Sequence, residues 1–403
     1  MRVRTPGLAI TEHEVSVPLD HADPDGERIT VFAREVADLD GLDRPFLVFL
    51  QGGPGFEAPR PTRHPSSPGW LDRALKDFRV LMLDQRGTGR STPVGVADAD
   101  RLAHLRADAI VRDAELVRRE LGVERWSVLG QSFGGLCATT YLSLAPEGLR
   151  EVLITGGVPA LGPAIDDVYR ATYATTLERN RRFYERYPGD RDRVLRLHEH
   201  LEANDVRLPG GDRLTPRRLR VAGHMLGMSD GAEQLHYLLE LPPDSPAFLH
   251  DVEAATREFA RNPLYALVHE ACWADGGATR WAAERLLPPE YEAEPELFTG
   301  EHVFPWMFEE YGALAPLRDA AHALAERDWP RLYDPDRLAA NDVPAAAAIY
   351  AEDMYVPRAH SEATAARIRG LRPWVTNEYE HNGLRADGER ILGRLLDLAR
   401  GRT

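Results

Sequence analysis

Residues Gly130-Gln131-Ser132-Phe133-Gly134 constrain this chain more than any other segment. A short apolar stretch, residues 126–129, runs into them. Gly135 follows, and residues 136–142 then have helical character. A strand, a tight turn and a helix in that order expose one serine at the carboxyl end of a sheet. The glycines matter because such a turn is crowded and a Cβ there would clash. Ser132 is therefore read as a nucleophile, in preference to a residue of an ordinary Gly-rich turn.

The surroundings fit an α/β chain. Residues 30–33, 46–50, 79–83, 126–129 and 152–155 have strand character, and helical spacing runs from Leu102 to Leu121. Strands separated by helical patterns predict a mostly parallel sheet covered on both faces. From about residue 157 to 330 strand signals stop, and Arg-, Glu- and Leu-rich helical segments follow, broken by Pro242-Pro243 and Pro288-Pro289. The α/β pattern returns with a strand ending at Tyr350, a helix over 357–368, a strand over 374–379 and a closing amphipathic helix over 384–398. The expected division is a core of residues 1–156 and 331–403, interrupted by a helical cap of residues 157–330.

A serine hydroxyl is a weak nucleophile and needs a base, which needs an orienting group. In an elbow of this kind the partners follow in the order Ser, acid, His, each after a strand. Asp353 lies three residues beyond the strand ending at Tyr350. His381 follows the last strand and is the one histidine of the final strand–loop–helix unit, out of 14 histidines in the chain. Asp84 also ends a strand, but it precedes the serine and is read as structural. Oxyanion donors are expected from the N–H of Phe133 and from the loop Gln51-Gly52-Gly53-Pro54-Gly55, most plausibly Gly53.

Three blocks together, Gly52-Gly53-Pro54-Gly55, Asp84-Gln85-Arg86-Gly87-Thr88-Gly89-Arg90-Ser91 and Gly130-Gln131-Ser132-Phe133-Gly134-Gly135, resemble the signature of the proline iminopeptidase (prolyl aminopeptidase) family of α/β-hydrolases. Asp353 and His381 extend the resemblance to the C-terminal part. It implies an α/β-hydrolase fold with an inserted helical cap, a metal-free Ser-His-Asp mechanism and removal of an N-terminal proline from peptides. It also implies two cap glutamates holding the substrate's free amine. The matching positions are Glu270 and Glu301, the first aligned mainly by spacing, with Trp273, Phe304 and Trp306 as candidate walls of a pyrrolidine pocket. Gln51 stands where the family usually has His. An esterase, lactonase or amidase on the same scaffold is the alternative activity, and a catalytically dead binding protein a remoter one.

Composition excludes several other classes. The 403 residues are 43% apolar and 28% charged, with a formal net charge of −15 and no basic block. Nucleic acid and anionic membrane are therefore not expected partners; a small peptide or other small molecule is. Two cysteines give no disulfide framework, no apolar stretch approaches a membrane span, and a cytoplasmic address is the default expectation. Leu197-His198-Glu199-His200 lacks the i, i+4 histidine spacing of a zinc helix, and Gly87-Thr88-Gly89 lacks the Gly-Lys-Ser/Thr ending of a phosphate loop. No metal and no cofactor is expected.

Overall fold

The computed structural model describes residues 2–63, 69–96, 98–162 and 164–402. Nine strands form one sheet in the order β1-β2-β3-β5-β4-β6-β7-β8-β9. They are β1 Arg2–Thr5, β2 Leu8–Pro18, β3 Arg28–Ala37, β4 Phe46–Leu50, β5 Arg79–Asp84, β6 Trp126–Gln131, β7 Leu149–Thr155, β8 Ala345–Tyr350 and β9 Leu371–Thr376. The first three pair antiparallel, and β3 meets β5 antiparallel; β5, β4, β6, β7, β8 and β9 are parallel.

The parallel strands read as unbroken apolar runs because both faces are covered. In β4 all five residues are buried. Phe46, Val48 and Leu50 enter one core, while Leu47 and Phe49 enter the other. Strand β8 works likewise despite four alanines, which are poor strand formers. Ala345, Ala347 and Ile349 face one layer, and Ala346, Ala348 and Tyr350 the other. The helix Gly388–Ala399 covers this second face with Ile391, Leu392, Leu395 and Leu396. On the first face the helix Phe133–Leu144 is buried almost throughout and packs beneath the helix Ala107–Glu120.

Strand order reverses at β4. The chain steps from β4 to β5 on one side, then returns to place β6 on the other. Ligands of open α/β sheets bind at such a switch point, outside the carboxyl ends of the strands. Between β7 and β8, from Ile165 to Ala339, the described residues form helices with only isolated bridges. These helices build two apolar clusters of their own, and Trp273 packs against both of them and against the sheet core.

Local assignments differ from expectation in several places, among them the closing helical run over 384–398, which is two helices, Gly383–Ala386 and Gly388–Ala399. The helical pattern over 102–121 is two helices, Ala99–Leu102 and Ala107–Glu120. Arg106 separates them by turning inward: it is 2% exposed, lies 4.6 Å over the Trp329 ring and donates to the carbonyls of Ala274 and Pro330. The last strand is Leu371–Thr376, displaced toward the N-terminus, because β9 is a half-exposed edge with little hydrophobic signal. The antiparallel β1 and β2 were not expected at all. Three successive partly exposed residues in the middle of β2 obscure its alternation. Among the described residues no helix is long and apolar enough to cross a membrane.

Candidate active site

Ser132 follows β6 with φ 55° and ψ −123°, a conformation that a residue with a Cβ adopts only when its surroundings impose it. Those surroundings are visible. The Ser132 N–H donates to the Thr155 carbonyl of β7 at 3.0 Å. A Cβ on Gly134 would sit 1.9 Å from the Leu50 oxygen, and one on Gly130 would sit 2.2 Å from the Gly134 oxygen. Both must be glycine for strand and helix to approach this closely.

Asp353 and His381 converge on this serine. His381 Nε2 is 2.9 Å from Ser132 Oγ, and His381 Nδ1 is 2.8 Å from Asp353 Oδ2. A carboxylate only accepts, so Nδ1–H donates to Asp353 and Nε2 is left to accept the serine hydroxyl. The other Asp353 oxygen accepts the N–H groups of Tyr355 (2.8 Å) and Val356 (3.0 Å), which fix the carboxylate's orientation. The His381 N–H donates to the Gly227 carbonyl at 3.3 Å, and the Tyr355 ring meets the imidazole edge-on at 4.7 Å.

Burial alone would lower the His381 pKa. The charge and hydrogen bond of Asp353, with the charge of Glu301 behind them, outweigh burial and raise it above the ordinary value of 6.5. A histidine that serves as general base must be unprotonated, so in that role activity would be lost as pH falls through this raised pKa. The acid limb of kcat/KM is expected to have its midpoint above 6.5. A pH–rate profile with its midpoint below about 6 contradicts this coupling.

The loop after β4 lies against Ser132, since a Cβ on Gly52 would be 3.0 Å from Ser132 Cβ. Gly53 and Gly55 take φ values of 124° and 84°. Gln85 Nε2 donates to the Gln51 carbonyl at 3.0 Å. That bond uses the backbone of residue 51, so glutamine there keeps it as histidine would. Asp84 clamps the neighbouring turns by accepting from Ala58 N–H at 3.0 Å and Arg90 N–H at 2.9 Å. Arg86 is buried and grips Asp113 through two bonds of 2.6 Å. The block from Asp84 to Ser91 thus serves as scaffold. Phe133 opens its helix, so its N–H has no acceptor within that helix.

Met354 and Tyr355, which follow Asp353, line a small hollow together with Glu301, His269 and Trp273. Glu301 accepts a hydrogen bond from the Tyr265 hydroxyl, and its Oε2 lies 3.6 Å from His269 Nε2. Burial pushes the carboxyl toward protonation, but the hydrogen bonds and charges of His269, Tyr265 and His381 prevail and hold its pKa below the usual value. The carboxyl is 23% exposed and lines the hollow, and the lowered pKa favours its ionised form.

Two sequence-based assignments need correction. Glu270 does not reach this hollow. Its Oε1 accepts the Ala283 N–H at 2.9 Å at the start of the short helix Ala282–Arg285, and it lines a separate hollow with Leu267, Thr279 and Trp281. Burial raises its pKa. Successive residues of a helical turn point apart, so the neighbouring His269 faces Glu301 instead. Phe304 is 2% exposed and stacks on Trp306 at 5.9 Å inside the helical layer, away from the lining of the Glu301 hollow. His269, Tyr265 and Tyr355 were missed: buried rings in helical segments look like core until their partners are known. Of the histidine-rich run, His198 is buried with its pKa lowered to about 4 by desolvation and by Arg220, and His200 bonds Asp244. Among the described residues no group of His, Cys, Asp or Glu has metal-site geometry. Cys137 and Cys272 are unpaired, and burial pushes both thiols up in pKa.

Residues 45–248 match the model of the α/β hydrolase fold family. Over 417 aligned residues the chain is 50% identical to a proline iminopeptidase of Aeromonas sobria, covering 98% of this chain and 97% of that protein. A proline iminopeptidase of Aspergillus aculeatus is 34% identical, covering 98% of this chain and 95% of its own. Among solved structures, VinJ shares the fold with a TM-score of 0.50 at 16% identity, covering 96% of this chain and 98% of that one.

Proposed function

This chain belongs to the proline iminopeptidase family of α/β-hydrolases, and on that footing we propose that Ser132, His381 and Asp353 release an N-terminal residue, proline preferred, from peptides through an acyl-enzyme. Ser132 Oγ attacks the carbonyl carbon while His381 Nε2 takes its proton. Asp353 keeps the imidazole in the required tautomer and stabilises its charged form. The N–H groups of Gly53 and Phe133 receive the negative charge that develops on the carbonyl oxygen. His381 then gives its proton to the departing nitrogen, and water, activated by the same imidazole, frees the acyl group.

The observation that carries this reading is the juxtaposition of the Asp353–His381–Ser132 hydrogen-bond chain with Glu301, which lines one hollow with Tyr355 and whose pKa is held low. A protonated α-amine is a cation, and a partly desolvated carboxylate beside the nucleophile binds it far better than a neutral amide. Holding the amine there sets the distance to the scissile carbonyl, so cleavage occurs after the first residue. Trp273 offers an apolar wall for the proline ring. Glu270 has no part in this.

Proline β-naphthylamide is expected to be turned over, and N-acetyl-proline β-naphthylamide is not. Glu301→Gln should lower kcat/KM for the free-amine substrate by roughly 30- to 1,000-fold, the loss typical when one partner of a desolvated charge pair is removed, while p-nitrophenyl acetate turnover changes only a few-fold. Equal losses on both substrates would assign Glu301 to structure. Turnover of the acetate alone would favour the esterase alternative.

A further inference from the structure

A groove of about 770 Å³ opens beside the loop that carries His381. Its floor includes Met225, Met228 and Leu238, its rim includes Tyr237, and Asn382 and Arg385 of the His381 loop close one side. Its wall is bonded to residues around His381. Gly227, between the two methionines, accepts the His381 N–H, and Tyr355, packed on the imidazole, donates its hydroxyl to the carbonyl of His224 in the groove wall. Ser229 and Asn382 tie the two walls together at 2.7 Å.

The direction of the reaction identifies the occupant. His381 must protonate the departing nitrogen, so the chain beyond the scissile bond leaves on the His381 side, while the free amine is held at Glu301. The groove lies on that side, with Asn382, the residue after His381, in its lining. Thioether side chains accommodate varied shapes, and Tyr237 is 63% exposed at the rim, where it offers an aromatic ring. Asp230, Asp251 and Glu258 line the groove with one cation, Arg385. Among the described residues none of these four forms an ion pair. Three carboxylates against one guanidinium give the groove a potential that attracts cationic side chains.

We propose that this groove holds the departing segment of an oligopeptide, beyond the residue removed, and favours lysine or arginine there. The proposal rests on the aminopeptidase reading and extends it to the far side of the bond. The test compares kcat/KM for proline β-naphthylamide, Pro-Gly-Lys-Gly and Pro-Gly-Glu-Gly at low and high salt. The lysine peptide is expected to exceed the glutamate peptide by roughly three- to ten-fold at low salt, with the gap closing as salt rises. In Asp251→Asn/Glu258→Gln the two peptides should come within about two-fold of each other. Equal rates in the unmodified enzyme, or a ratio unchanged in the double variant, overturn the proposal while proline β-naphthylamide turnover keeps the aminopeptidase reading in place. No turnover of any proline substrate removes both.

Discussion

Ser132→Ala is expected to lower kcat by roughly 10⁴- to 10⁶-fold with the fold intact. Oγ is the atom that would bond to the carbonyl carbon, and among the described residues no other hydroxyl is bonded to His381 Nε2. What remains after its loss is stabilisation by the oxyanion donors and by substrate binding, which is small against the full rate. The backbone gives a second signature. Ser132 is held at φ 55°, where a Cβ costs about 1 kcal/mol or more and glycine costs little. Ser132→Gly should therefore be as inactive as the alanine variant, yet denature at a higher midpoint. Near-full activity in either variant excludes the proposed nucleophile. A glycine variant no more stable than the alanine one would mean that the turn carries no such strain.

Asp353→Asn comes next, with an expected loss in kcat of about 10⁴-fold near neutral pH and little change in KM. The carboxylate only accepts, so it forces the imidazole proton onto Nδ1 and leaves Nε2 free to take the serine proton. An amide offers an N–H in the same place, and the histidine then carries its proton on Nε2, where it cannot act as base. The pH profile separates this from simple damage. The Asp353 charge is what raises the His381 pKa against burial, so in the asparagine variant the acid limb should move to lower pH. Asp353→Ala would add a structural loss, because the N–H groups of Tyr355 and Val356 both bond to its Oδ1. Leaving such donors unpaired costs about 1–3 kcal/mol each. An acid limb in the same place for the asparagine variant and the unmodified enzyme would remove Asp353 from its assigned role.

The elbow, the strand ends carrying Asp353 and His381, and the Gly52–Gly55 loop were all legible because each is a local pattern. Glycines mark where chains cross closely, and a strand's end is found from the hydrophobic run that precedes it. The short antiparallel strands and the exact position of β9 were not legible, since edges have little buried surface to impose a pattern. The proposed amine site is half legible. Glu301 aligns loosely through its neighbouring Phe, but Glu270 aligns by spacing, and spacing does not say which way a residue in a helical turn points.

The amino-acid sequence by itself determined the kind of sheet and pointed to the serine and the order of its two partners in the proposed triad, because these follow from periodicity and from the few residues a strained turn tolerates. Tertiary structure alone decided what faces the serine. Packing of the helices between β7 and β8 turned His269 and Tyr265 toward Glu301, sent Glu270 to cap another helix and buried Phe304 against Trp306. The same packing left an open groove with unpaired charges beside His381. Which way a helical residue points depends on how its helix sits against others, and no local pattern carries that information.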